Sequence, residues 1–187
     1  RERRRLMLRE TAAKVLCVVD DAGQPMDLGQ DDGLGVVRLD SSLDALASLR
    51  GDALGASPAI KGDDAAYVFF TSGSTGRPKA ILGCHKGLSQ FLEWQRQTFD
   101  IGQDDRISQL IALSFDPLLR DVFLPLTSGG TVCLPQEQDA FSALRWLQDE
   151  RITVVHTTPS LLQSWLADEN AEVALPNLRW LFLSGES

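Results

Sequence analysis

The sequence has little of what metal centres and disulfide scaffolds need: three cysteines and two histidines in 187 residues. Cys17, Cys84 and Cys133 are odd in number and widely spaced, and no C-x-x-C pair occurs. That spacing argues against both a disulfide framework and a zinc site. Each cysteine sits in an apolar stretch, which predicts small core residues and suits a reducing, cytoplasmic setting. No run approaches the ~18 apolar residues of a membrane span. The opening Arg1-Glu2-Arg3-Arg4-Arg5-Leu6-Met7-Leu8-Arg9 carries charge but no apolar stretch of signal-peptide length. Basic residues are outnumbered, 18 Lys and Arg against 26 Asp and Glu, for a net charge of −8. That balance argues against nucleic acid or an anionic membrane as the main partner. An initiator methionine is also lacking, and the last residues, Ser184-Gly185-Glu186-Ser187, follow directly on an apolar strand pattern. Both ends read as cut.

What is present is a regular alternation of helical and strand patterns. A helical pattern over 1–13 leads into a strand at Val15-Leu16-Cys17-Val18-Val19, and a second strand covers 35–40. A polar, glycine-rich loop separates them, and a short helix capped by Ser41 or Ser42 is expected after them. Further strands are predicted at 65–70, 80–83, 106–113, 131–135, 152–156 and 178–183. Helices are predicted over 85–99, from Phe115-Asp116-Pro117 to Thr127, over 141–151 and over 159–166. Such alternation predicts an α/β fold with a parallel-rich sheet and helices on its faces. At this length it is one domain with a sizeable core.

One stretch stands apart: Thr71-Ser72-Gly73-Ser74-Thr75-Gly76-Arg77-Pro78-Lys79. Hydroxyls, glycines and a lysine crowd together between two short apolar strands, where α/β proteins place ligand sites. Gly73 and Gly76 let backbone N–H groups approach an anion closely. Consecutive N–H groups make an anion-binding concavity, and Lys79 adds a positive charge. A phosphate chain is the natural guest. The Walker pattern G-x-x-x-x-G-K-[ST] does not fit, because Pro78 stands at its second glycine and Ala80 at its Mg²⁺-binding hydroxyl. A flexible serine-glycine surface loop is the plainer alternative.

The run from Ala66-Tyr67-Val68-Phe69-Phe70 through Lys79 closely resembles the phosphate loop of AMP-forming adenylating enzymes. It is most similar to the third core motif of nonribosomal peptide synthetase adenylation domains. Phe70 departs from the usual tyrosine and Ala80 from the usual glycine. The resemblance implies that Thr71, Ser72, Gly73, Ser74, Thr75, Gly76 and Lys79 wrap the β- and γ-phosphates of ATP, with Lys79 the catalytic member. It extends to residues 114–134, which read Phe-Asp, helix, Gly-Gly, strand like the fourth core motif. Residues 1–187 would then be the middle part of the large N-terminal subdomain, with no complete second domain.

By the same resemblance Asp116 pairs with the ammonium group of an amino acid. Phe115 lies beside its carboxylate, and Asp116, Pro117, Arg120, His156, Phe182, Ser184 and Gly185 contact the substrate. Read plainly, Asp116 is a helix cap, and Asp116 with Arg120 is an i,i+4 surface ion pair worth about 0.3–0.5 kcal/mol. If that face lines a pocket, Arg120 offers a planar donor for a carboxylate. His156 would add a hydrogen bond there, or would be a core histidine. The order Asp-Pro-Arg-His-Phe resembles the pocket of α-aminoadipate reductases, and another polar or acidic amino acid fits it equally.

The implied reaction is ATP-dependent activation of an amino acid carboxylate as aminoacyl-AMP. Loading then follows onto a phosphopantetheine thiol of a carrier-protein domain. Mg²⁺ would take its ligands mostly from outside these residues. No ribose-binding motif, hinge or C-terminal lysine of the family is found, so the 187 residues alone are expected to be inactive. An acyl- or aryl-CoA synthetase is the rival enzyme, and Asp116 argues against it. A non-catalytic nucleotide-binding module is the other rival.

Overall fold

A computed structural model describes residues 2–20, 33–40, 58–72, 78–135, 140–167 and 173–185. The chain divides into two compact units. One comprises Arg1–Lys61 with Phe70–Leu82, the other Gly62–Phe69 with Gly83–Ser187.

In the first unit, helix α1 (Glu2–Glu10) precedes strands β1 (Val15–Asp20) and β2 (Gly35–Asp40). The α1 end is tied by the Thr11 hydroxyl, which donates to Met7 O at 2.9 Å. The two strands pair in parallel, Val15 against Gly35 through Asp20 against Asp40. Val18 is buried, whereas Cys17 is exposed. The expectation of a core cysteine therefore fails at Cys17, because alternation along a strand turns neighbours to opposite faces. It holds at Cys133, which is buried, and Cys84 lies between. The short helix expected after β2 lies outside the described residues.

Strands β3 (Ala65–Ser72) and β4 (Pro78–Cys84) pair with each other. Gly83 on β4 has no room for a side chain, because a Cβ there would overlap the Tyr67 ring. Helix α2 (His85–Thr98) follows directly, and its first N–H groups are satisfied by backbone. His85 N donates to Asp64 O at 3.2 Å and Lys86 N to Gly62 O at 2.7 Å.

The second unit is built on a four-stranded parallel sheet in the order β6-β5-β7-β8. The strands are β5 (Arg106–Ser108), β6 (Thr131–Cys133), β7 (Val154–Thr157) and β8 (Trp180–Leu183). The connecting helices are α3 (Pro117–Ser128), α4 (Ala140–Asp149) and α5 (Pro159–Leu166). Every residue of β7 is buried, as expected of a central strand in a parallel sheet. Its side chains alternate between two cores. Val155 packs with Leu144, Leu147 and Trp165, while Val154 packs with Leu92, Ile107 and Leu124. Period-two alternation puts His156 on the Val154 side.

The strand expected over 106–113 ends at Ser108. Beyond it, Gln109 N still donates to Cys133 O at 2.9 Å, but Phe115 N donates back to Ala112 O at 3.0 Å. The chain turns to start α3 rather than extending the sheet. Helix α3 ends at Gly129, φ 79°, and Gly130 N donates to Pro125 O at 2.9 Å. This is the pattern that glycine caps make after a helix. Gly130 is held between backbone carbonyls, and an added Cβ would lie 2.8 Å from Asp105 O.

A buried carboxylate fixes the lower ends of these strands. Asp105 is 1% exposed. It accepts from Gly102 N at 2.9 Å, Thr153 Oγ1 at 2.6 Å and Arg179 Nη1 at 2.8 Å. The residues just before β5, β7 and β8 are thereby joined at one charge, which is stable because each oxygen is hydrogen-bonded.

Candidate functional site

The cavity that matters lies within the second unit, with a volume of about 220 Å³. That is several times the ~30 Å³ share of one water. Tyr67, Leu88 and Phe91 contribute apolar wall, and Asp116, Pro117, Leu119 and Arg120 contribute the start of α3. Pro117 sits at the first helical position, where a missing N–H costs nothing. Asp116 occupies the N-cap position, yet its side chain caps no N–H and its backbone is already helical. The helix-cap reading of Asp116 therefore fails, and its exposed carboxylate stands at the cavity instead.

The expected pairing of Arg120 with Asp116 is also replaced. Arg120 Nε donates to Asp121 Oδ1 at 3.0 Å. Its side chain is 11% exposed, and Nη2 is buried with no partner among the described residues. Asp121 is fully buried, and among the described residues only its Oδ1 is engaged. It belongs to the inward stripe of α3 with Leu124 and Pro125. Pro125 has no N–H to donate to the carbonyl four residues back, so the Asp121 carbonyl receives no helical hydrogen bond from that position.

His156 Nδ1 lies 3.1 Å from the same Asp121 oxygen, although the approach is not aligned as a hydrogen bond. The imidazole is fully buried and stacks on Phe182, with ring centroids 4.8 Å apart and planes 16° from parallel. The two residues are register partners on β7 and β8. Burial pushes His156 below the ordinary imidazole value. The Asp121 carboxylate pulls the other way and the Arg120 charge pushes further down. The ring is therefore neutral near pH 7.

The structure thus brings Asp116, Pro117 and Arg120 to one cavity and links Arg120 through Asp121 to His156. Phe115 is 62% exposed and does not line it. Ser184 continues the β7–β8 ladder, its N donating to Thr157 O at 3.1 Å. Gly185 turns at φ 95° against the Thr158 side chain. Asp121 and the apolar wall were missed by sequence reasoning. The signal for Asp121 was an acidic residue three before Leu124 in an otherwise apolar helical stripe.

Comparison with known proteins places the chain in a family. A family model described as AMP-binding enzyme matches residues 1–187. The chain belongs to that family. Among AMP-binding relatives, it is 36% identical over 120 residues to the L-2-aminoadipate reductase large subunit of Eremothecium gossypii, 63% of this chain and 8% of that protein. It is 35% identical over 128 residues to tyrocidine synthase 3 of Brevibacillus parabrevis, 67% of this chain and 2% of that one. The matched stretch is therefore less than a tenth of the length of either relative. A crystal structure of the nonribosomal peptide synthetase FmoA3 in its alpha-methyl-L-serine-AMP bound form superimposes with a TM-score of 0.79. The match has 26% identity and covers 98% of this chain and 20% of that one. The parallel-sheet α/β fold expected from the alternating pattern is the fold of these AMP-binding enzymes.

Of the expected phosphate loop, Gly73, Ser74, Thr75 and Gly76 lie outside the described residues, as does the side chain of Ser72. Thr71 near the end of β3 and Lys79 near the start of β4 are exposed. No group of three metal-binding side chains occurs among the described residues. No helix among them is long and apolar enough to cross a membrane.

Proposed function

We propose that residues 1–187 are the middle part of the N-terminal subdomain of an amino acid adenylation domain. The complete protein would activate an amino acid carboxylate as aminoacyl-AMP and pass it to a phosphopantetheine thiol on a carrier domain. In this reading the loop Thr71–Lys79 holds the leaving phosphates, with Lys79 supplying charge. ATP, with Mg²⁺, supplies the adenylyl group when bound. Asp116 receives the substrate's ammonium group, with Pro117 beside it in the cavity; Phe115, His156, Phe182, Ser184 and Gly185 do not line that cavity and are assigned to the amino acid side of the site by the family resemblance alone. Arg120 receives a second carboxylate. The substrate is then an acidic or similarly polar amino acid, 2-aminoadipate among them.

One observation carries this reading. Asp116, whose carboxylate has no capping duty, and Arg120, whose guanidinium keeps a buried nitrogen without a partner among the described residues, line the same cavity. A buried donor left unmade costs about 1–3 kcal/mol, so a native site that keeps one has a use for it. A substrate carboxylate is the acceptor that matches a planar guanidinium best. Similarity to an aminoadipate reductase, and to a synthetase in an alpha-methyl-L-serine-AMP bound form, supports the same class of chemistry.

The test is pyrophosphate exchange by the complete adenylation domain against an amino acid panel that includes 2-aminoadipate and its neutral analogues. Dicarboxylic substrates are expected to exchange fastest. Arg120→Ala should weaken them selectively, by roughly tenfold or more, since a hydrogen bond to a charged group contributes about 1.5–3 kcal/mol. Equal loss across the panel, or no preference in the parent protein, refutes the assignment.

A further inference from the structure

The Arg120 guanidinium is not free to choose its orientation. Its Nε is fixed on Asp121 Oδ1 at 3.0 Å. Asp121 is itself immobilised: it is fully buried, lies on the inward stripe of α3 with Leu124, and faces His156 at 3.1 Å. The His156 ring is clamped in turn by the Phe182 face. An ordinary structural ion pair would engage both oxygens of the carboxylate with both nitrogens on one edge of the guanidinium, which is the stronger geometry. Here the pairing is single. Asp121 Oδ2 and Arg120 Nη2 are both buried and both without partners among the described residues. A buried carboxylate that neutralises an arginine through one nitrogen and leaves the next unmade is arranged for orientation rather than for maximum pairing.

We propose that Asp121 is a positioning residue for substrate selection. It holds Arg120 by Nε so that the remaining nitrogens receive the distal carboxylate of a dicarboxylic amino acid. This inference rests on the reading of Arg120 given above and adds the residue through which that selectivity is set. Asp121 does not touch substrate in this arrangement and acts through Arg120 alone. A guanidinium already held in place loses less freedom on binding than a mobile one, which favours affinity for a planar anion of matching geometry.

The experiment uses the complete adenylation domain and pyrophosphate exchange. The quantity read is the ratio of kcat/KM for a dicarboxylic amino acid to that for its side-chain amide. Four proteins are compared: the parent, Arg120→Ala, Asp121→Asn, and the double variant. Asparagine matches aspartate in shape, carries no charge, and puts an NH2 donor in place of one acceptor oxygen. Asp121→Asn is expected to lower the ratio by roughly tenfold, the scale of one charge-assisted hydrogen bond. The loss should fall on KM for the dicarboxylic substrate, with KM for ATP unmoved. In the double variant the ratio should be no lower than in Arg120→Ala, because the two residues act as one unit. Arg120→Lys serves as a second variant should Asp121→Asn fold poorly. Lysine keeps the charge but has no fork for Asp121 to orient, so the preference should again fall.

An unchanged ratio in Asp121→Asn, beside a lost ratio in Arg120→Ala, overturns the positioning role and leaves the Arg120 reading standing. A retained preference in Arg120→Lys also overturns the positioning role. An equal fall for both substrates in Asp121→Asn assigns Asp121 to structure alone. No preference in the parent protein overturns the Arg120 reading and this inference together.

Discussion

Asp105→Ala is expected to be among the most damaging single changes in the second unit, although Asp105 lies outside the cavity. The carboxylate is 1% exposed and holds Gly102 N, Thr153 Oγ1 and Arg179 Nη1. The three partners are not equivalent. Arg179 has a side chain 41% exposed and a second bond to Asp100 O at 3.0 Å. Water resolvates it, so the ion pair itself counts for little. Thr153 Oγ1 has a weak alternative in Arg106 O at 3.4 Å. Gly102 N depends on Asp105 Oδ2. Two donors losing a charged acceptor, at about 1–3 kcal/mol each, give a loss of roughly 2–4 kcal/mol after allowing for the Thr153 alternative. With a urea dependence of about 2 kcal/mol per molar, the unfolding midpoint drops by about 1–2 M. Trp180 follows Arg179 directly, and its Nε1 donates to Phe99 O at 3.0 Å. Tryptophan fluorescence during urea unfolding therefore reports the transition of this unit. Asp100→Asn is the control, since that carboxylate is fully exposed and 3.7 Å from Arg179, and asparagine tolerates the left-handed backbone at this position, φ 51°; its midpoint should not move. Equal midpoints for Asp105→Ala and Asp100→Asn would refute the claim that Asp105 ties the three strand ends together.

Glycine replacements distinguish two kinds of crowding. Gly130→Ala places a methyl 2.8 Å and 2.9 Å from two backbone carbonyl oxygens; neither can swing away, and overpacking of about 1–3 kcal/mol is expected by urea unfolding. Gly83→Ala instead meets the Tyr67 ring, a side chain that can rotate, so stability falls less but the cavity wall moves. Tyr67 is the only tyrosine in the sequence, so a single fluorotyrosine resonance reads its displacement. The same variant should raise KM for the amino acid substrate. His156 predicts a pH dependence: its folded value is depressed by burial, so the unfolded chain binds the proton more tightly. Stability is constant above about pH 6.5 and falls below it with a slope of at most about 1.4 kcal/mol per pH unit. Urea midpoints measured from pH 7.5 to 5 should show that fall, and His156→Gln should flatten it. Finally, the 187-residue chain on its own should give no pyrophosphate exchange above background; exchange matching a complete domain would contradict its assignment as a partial subdomain.

Much of this was legible in the sequence, and the exceptions share a cause. The short apolar runs, the α2 pattern and the Pro117 start signal are local, and local periodicity specifies them. Strand β5 was over-extended because Gln109 to Leu113 is as apolar as a strand. Pairing, not composition, decides where a strand ends, and β6 offers partners only to Ser108. Asp116 was readable as a helix start but not as a carboxylate without a capping bond, because that depends on backbone dihedrals. Arg120 was expected beside Asp116 from helical spacing. Its partner, Asp121, is the adjacent residue, a pairing that helical spacing does not anticipate. Asp105 was not singled out, since two of its three partners lie 48 and 74 residues away.

The register of β7 against β8 also bears on how such a pocket can be altered. His156 and Phe182 face each other across one rung of a parallel ladder, with their rings stacked. Neither ring can be exchanged without presenting the other with a void or a clash. A library that varies one at a time tests every new side chain against a partner shaped for the old one. Positions 156 and 182 are better drawn together, as a single two-residue letter, when the specificity of this scaffold is rewritten.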